Sequence, residues 1–179
     1  MGVRCFIAVD LPPAAEDYAR TCIRLVAGRL PSGAVKWTDP QQLHLTLHFL
    51  GNAVSDTTIT AVKTAGIAIA AGVPRFTLRL EGLSRLPNFG PPRVIIVAGR
   101  DESGALTNLR QGFGEFLRRE GIILDQRPWR PHLTIGRIKR VGGLTLPNAP
   151  RPPEPFLITA AALYRSHLTP DGPEYARLA

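Results

Sequence analysis

Apolar and polar positions alternate most strictly between residues 43 and 49, where Leu43, Leu45, Leu47 and Phe49 interleave with His44, Thr46 and His48. A period of two belongs to a strand with one face in a core, so the two histidines and the threonine are predicted to share the other face. Residues 76–83 alternate in the same way, with Phe76, Leu78 and Leu80 opposed to Thr77, Arg79 and Glu81. Shorter apolar runs at residues 4–9, 35–37 and 93–98 read as further strands, as do residues 132–138, 156–167 and 174–178. Three stretches read as helices. The turn Asp10-Leu11-Pro12-Pro13 opens one over residues 14–29, which Pro31-Ser32-Gly33 breaks. Gly51-Asn52 closes the strand before it, and Ser55 caps a second helix running to residue 71. Ser103 opens a third, ending near residue 120. Residues 86–92, with three prolines and a glycine, read as a loop, and residues 142–155 as an exposed connection. Strands and helices recur in two similar halves, which predicts an α+β fold built by pseudo-duplication.

Composition narrows the setting. The 179 residues suit one domain, 1–179, or two lobes sharing one core. No stretch approaches the roughly 20 apolar residues that a membrane helix requires, so no membrane is expected as a partner. The apolar run at residues 3–9 is too short and poorly flanked for a secretory signal. Cys5 and Cys22 form no metal spacing and give little reason to expect a disulfide, which points to a reducing, cytoplasmic location. The net charge is +8, and all but three of the 22 basic residues are arginine. That excess suggests an anionic partner, nucleic acid foremost, although a coding bias towards arginine would also produce it. Arg127, Arg130, Arg137 and Arg140 cluster about one segment, and a guanidinium fork suits phosphate.

That segment repeats a phrase met earlier. His44-Leu45-Thr46-Leu47 returns as His132-Leu133-Thr134-Ile135, one copy in each half and 88 positions apart. Each copy presents a histidine and a threonine side by side from a strand. With an ordinary pKa of about 6.5, a histidine can give or take a proton near neutral pH. Two of them on opposite sides of a phosphodiester can activate water and protonate the leaving oxygen, while the threonine hydroxyls bind non-bridging oxygens. Carboxylates, which phosphate would repel, are absent from both copies. His44 and His48 have a zinc-binding spacing only on a helix, and the alternation argues for a strand. His48 reads as a rim or structural residue, and His167, near the turn Thr169-Pro170-Asp171-Gly172, as a surface one. Trp37, Phe89 and Trp129 are candidates for stacking on bases. Arg130, two before His132, is a candidate phosphate contact, whereas Arg137 breaks the alternation and reads as a strand edge. No GxGxxG or GxxxxGK[ST] phosphate loop occurs.

The paired His-x-Thr-x phrases resemble the signature of the 2H phosphoesterase superfamily. The surrounding text is similar to its bacterial and archaeal RNA 2′,3′-cyclic phosphodiesterase branch, also called 2′-5′ RNA ligases. Matching segments include Arg4-x-Phe6-Ile7-Ala8-Val9-Asp10-Leu11-Pro12, Lys36-Trp37, His44-Leu45-Thr46-Leu47-x-Phe49-Leu50-Gly51 and Arg130-Pro131-His132-Leu133-Thr134-Ile135-x-Arg137. The closing Leu163-x-x-Ser166-x-Leu168-x-x-x-Gly172-x-x-Tyr175 also matches, with Tyr164 where an aliphatic residue is more usual. The resemblance implies a bilobal fold, with two antiparallel sheets forming a central cleft and helices outside. It implies opening of RNA 2′,3′-cyclic phosphate ends to 2′-phosphomonoesters without metal or other cofactor, small cyclic nucleotides being further potential substrates. His44 is then the proton donor and His132 the proton acceptor, with Thr46, Thr134 and Arg130 on the substrate. The competing readings are ATP-independent 2′-5′ ligation at the same site, a non-catalytic RNA-end binding module and a metal-dependent hydrolase. Base preference and oligomeric state are not legible in the sequence.

Overall fold

The computed structural model describes residues 2–139, 144–169 and 172–179. Three helices, α1 (Pro13–Ala27), α2 (Asp56–Ala71) and α3 (Ala105–Arg119), accompany nine strands. The strands are β1 (Val3–Val9), β2 (Val35–Trp37), β3 (Leu45–Val54), β4 (Phe76–Leu86), β5 (Val94–Arg100), β6 (His132–Ile138), β7 (Phe156–Ile158), β8 (Ala161–Leu168) and β9 (Pro173–Arg177). The α+β class is as expected. In space the order is β7, β4, β5, β6, β3, β1, β8, β9, with β2 paired to β6, in a strongly curled antiparallel sheet.

The two sheets expected from the sequence are therefore one path. They join where β3 meets β6, through a single residue pair, Leu45 with Leu133. Helices α2 and α3 pack together over β3 and β8, while α1 lies against β6. Helix α3, inserted between β5 and β6, thus covers β3 across the seam. One face of the sheet meets the helices in a core that includes Ile7, Leu45, Leu47, Val97, Leu133 and Ile135. Phe6, Ala8, Ile96 and Ala162 are buried outside that core cluster, on the opposite, concave face.

Several boundaries depart from the sequence reading. Strand β3 runs through Gly51-Asn52 to Val54, because Gly51, at φ +120°, keeps the strand paired with Cys5 of β1. Residues 156–167 are two strands on opposite lobes, β7 beside β4 and β8 beside β1. β4 extends to Leu86 and β5 starts at Val94, so the expected loop lies one residue further on, at 87–93. The third helix has Gly104 rather than Ser103 at its N-cap, and the Asp101 carboxylate accepts hydrogen bonds from the Ser103 and Leu106 amides. Residues 144–155 form no regular element, yet Leu144 is buried and the Tyr18 hydroxyl donates to the Pro150 carbonyl, so they are anchored rather than free. Residues 142–143, Pro170-Asp171 and Arg140 lie outside the described residues.

Candidate active site

Each histidine phrase enters its strand from a short lead that fixes the ring. Before β3, Asp39 caps a single 3₁₀ turn, Pro40–Gln42, by accepting from the Gln41 amide. His44 follows immediately, and its Nδ1–H donates to the Gln42 carbonyl at 2.8 Å. His132 opens β6 in the same manner, its Nδ1–H donating to the Arg130 carbonyl at 2.7 Å. The two bonds span the same two-residue interval. With Nδ1 engaged, each neutral imidazole turns Nε2 outward as the working atom.

The Leu45–Leu133 pair then dictates the arrangement. In an antiparallel pair, the residue before Leu45 faces the residue after Leu133, so His44 stands against Thr134 and Thr46 against His132. All four side chains are half-buried. The histidines occupy a diagonal, a placement that separates residues by about 7–8 Å and leaves room for a phosphate between them. The hydroxyls occupy the other diagonal. Leu45 and Leu133 are fully buried beneath, so the platform is rigid.

Just beyond the threonines both strands carry a bulge. Ile7 pairs with His48 but Ala8 with Thr46, which leaves Leu47 as the extra residue. Ile95 pairs with Gly136 but Ile96 with Thr134, which leaves Ile135. Both extra residues lie three after the histidine. An extra residue reverses the alternation from there on. His48 accordingly turns into the core, 5% exposed, where its Nε2–H donates to the Arg110 carbonyl of α3 at 2.8 Å. Phe49, expected in the core, emerges half-exposed onto the concave face. Arg137, expected at a strand edge, is carried by its bulge to that same face, opposite Val94 and Lys36.

The bulged backbone is pinned from behind. Arg110 Nε donates to the Leu47 carbonyl at 3.3 Å, and the Trp129 indole donates to the Thr46 carbonyl at 3.2 Å. The Arg110 guanidinium lies 4.8 Å over the Trp129 ring. Trp129 is thus a strut between the two phrases, and Trp37 packs partly buried against Gly136. Phe89, at the tip of the β4–β5 hairpin, is 90% exposed. Arg130 is exposed, and with the Asn88 amide oxygen turned towards it the guanidinium donates at 3.0 Å, which holds it at the rim. Arg127 is tied to Asp125 by an ion pair. His167 is on the surface, as read.

Aromatic residues to which the sequence reading gave no role in the site surround His44. The Phe6 ring stacks on the imidazole at 4.6 Å and on Tyr164 at 5.3 Å, while Tyr175 meets His44 edge-on at 5.1 Å. Beside them a pocket of about 310 Å³ is lined by Gln41, Gln42, His44, Tyr164, Glu174 and Tyr175. Burial pushes the His44 pKa below its ordinary value, against partial support from the Gln42 carbonyl and the Asp10 carboxylate; the nearby His132 pushes it further down. Burial also lowers His132, and the Arg137 guanidinium adds to that. Among the described residues no three His, Cys, Asp or Glu side chains stand together as a metal site, and no helix is long and apolar enough to cross a membrane.

Two imidazoles with outward Nε2 atoms, set diagonally across a pair of hydroxyls in an arginine-bordered cleft, have the arrangement that acid–base exchange on a phosphate ester needs. Comparison with known proteins agrees. Residues 9–96 match the family described as LigT-like phosphoesterase. An RNA 2′,3′-cyclic phosphodiesterase of Thermus thermophilus is 33% identical over 98% of this chain and 88% of its own, and one from Archaeoglobus fulgidus is 29% identical over 98% of each. The crystal structure of TT0787 of Thermus thermophilus superposes with a TM-score of 0.82 at 28% identity, covering 98% of this chain and 95% of that one. Escherichia coli LigT complexed with 3′-AMP gives 0.79 at 25% identity, covering 100% and 96%. The chain belongs to the LigT-like phosphoesterase family of the 2H superfamily.

Proposed function

We propose that the cleft hydrolyses 2′,3′-cyclic phosphate ends of RNA to 2′-phosphomonoesters, with His44 and His132 exchanging protons with substrate and water. The protein is a phosphoric diester hydrolase of the RNA 2′,3′-cyclic phosphodiesterase kind. The cyclic phosphate lies over the Leu45–Leu133 pair, its non-bridging oxygens towards the Thr46 and Thr134 hydroxyls and the Arg137 guanidinium. His132 Nε2 takes a proton from water as the oxygen attacks phosphorus, and His44 Nε2–H gives one to the departing 3′ oxygen. The P–O3′ bond breaks as the new P–O bond forms, which leaves the phosphate on O2′. Arg130 contacts the chain from the rim. The observation that carries this reading is the single antiparallel pair that sets each histidine against the other phrase's threonine.

We read the chain as one domain, 1–179, in which four strands of the sheet path on each side of the seam, with β2 added on β6, and a bulge at the same offset in each phrase support a pseudo-duplication. The pocket of about 310 Å³ beside His44 is of a size for a single nucleotide, which supports small cyclic nucleotides as additional substrates. The free, buried thiols of Cys5 and Cys22 suit a reducing cytoplasm. The decisive experiment incubates the protein with an RNA oligonucleotide ending in 2′,3′-cyclic phosphate and maps the end. A 2′-phosphate is expected. A 3′-phosphate would reverse the roles of the histidines, and a 2′-5′ joined product would show ligation.

A further inference from the structure

We propose that Asp10, held between the Tyr164 hydroxyl and the Arg177 guanidinium, is the positioning residue that makes His44, rather than His132, the proton donor. The inference rests on the cyclic phosphodiesterase reading and adds what decides the direction of proton flow. The two histidines are held alike by the same backbone bond, so the phrases themselves do not distinguish acid from base. Their surroundings do.

Val9 of β1 pairs with Leu45, and the antiparallel register carried one residue on sets Asp10 opposite His44. The Tyr164 hydroxyl donates to one Asp10 oxygen, and Arg177 bonds the other at 2.6 Å. These partners come from β8 and β9, so three strands converge to fix a single carboxylate. The Phe6, Tyr164 and His44 rings form one cluster, with His44 and Tyr164 6.4 Å apart. The remaining titratable groups around His44 are His132 of β6, with Glu174 and Tyr175 of β9 lining the pocket. Asp10 is the carboxylate whose charge supports the imidazolium, partly offsetting burial. Among the described residues nothing equivalent stands beside His132, whose charged neighbour is the cation Arg137. An anion near one imidazole and a cation near the other stabilise His44 charged and His132 neutral, the form needed for turnover. Burial first, then the bond to Asp10 and its charge, push the Tyr164 phenol up to about 12, so it remains a donor to Asp10 throughout the working range.

The test compares wild type, Asp10→Asn and Arg177→Met as full-length proteins, by the pH dependence of kcat/KM on a cyclic-phosphate oligonucleotide and by NMR titration of the His44 ring. Asp10→Asn removes the supporting charge, so the alkaline limb and the His44 titration should move to lower pH. Activity above neutrality should fall about threefold to tenfold, with the deficit closing at acid pH where His44 is protonated in both proteins. Arg177→Met, an exposed substitution, removes a competing cation and should move both to higher pH. A loss in Asp10→Asn that is uniform at every pH, with His44 titrating as in wild type, would overturn the proposal. Shifts of the two variants in the same direction would also overturn it. If wild type itself fails to open the cyclic phosphate, the functional reading falls, while the NMR comparison still decides whether Asp10 sets the protonation of His44.

Discussion

His44 and His132 work as a pair, and their substitution should show it. His44→Ala and His132→Ala are each expected to lower turnover about 10²–10⁴-fold in steady-state assays, because each removes one proton transfer. The double variant should be scarcely slower than either single one, since half of a coupled transfer is of little use. Near-normal rates in either single variant would rule out the mechanism. The pH profile follows from the environment of the rings. Burial disfavours the charged form of both, so in free enzyme each titrates below the ordinary value of about 6.5. The profile of kcat/KM should be bell-shaped, with its maximum on the acid side of that value. A bound phosphodiester anion favours imidazolium and should move the bell in kcat to higher pH. An optimum well above neutrality for kcat/KM would contradict the dominance of burial at these rings.

At the scale of elements, the close seating of β2 on β6 is the most sensitive point. A Cβ on Gly136 would lie 2.6 Å from Val35 Cγ1 and 2.9 Å from the Trp37 ring, so glycine is required for β2 to approach. Gly136→Ala is expected to destabilise by about 1–3 kcal/mol through overpacking, lowering Tm by about 2–12 °C in a calorimetric scan. An unchanged Tm would mean that β2 can shift freely. This element also marks where the sequence could be read and where it could not. Strands and helices carried their own periodicity, and both His-x-Thr faces followed from it as far as the threonine. Beyond that, one extra residue in each strand reversed the alternation. A bulge has no compositional mark, so His48 and Phe49 were assigned to the wrong faces and Arg137 was read as a strand edge. The aromatic wall at His44 was hidden for a different reason: Phe6, Tyr164 and Tyr175 come together only because β1, β8 and β9 are neighbours in the sheet. Trp129 gave a polar-aromatic signal that served backbone support as well as it would have served a base.

For the whole molecule, the net charge of +8 implies a salt-dependent encounter with RNA. KM for an oligonucleotide should rise with ionic strength, and more steeply than for a mononucleotide cyclic phosphate, because more phosphates release counterions. Equal salt slopes would mean that only the terminal nucleotide is bound. Activity should also persist in excess EDTA, since protons are moved by imidazoles and phosphate is held by hydroxyls and a guanidinium; loss of activity restored by zinc or magnesium would point to metal hydrolysis instead. The seam itself has a mechanical meaning. Backbone bonding between the lobes narrows to Leu45 and Leu133, and the four side chains flanking that pair all reach for one anion. A phosphate seated there acts as a rivet, fastening the lobes at their thinnest joint. Ligand should therefore stiffen the molecule far beyond the atoms it touches: at 100 times Kd, inorganic phosphate should add about 2.7 kcal/mol to stability and slow amide exchange along β3 and β6 together.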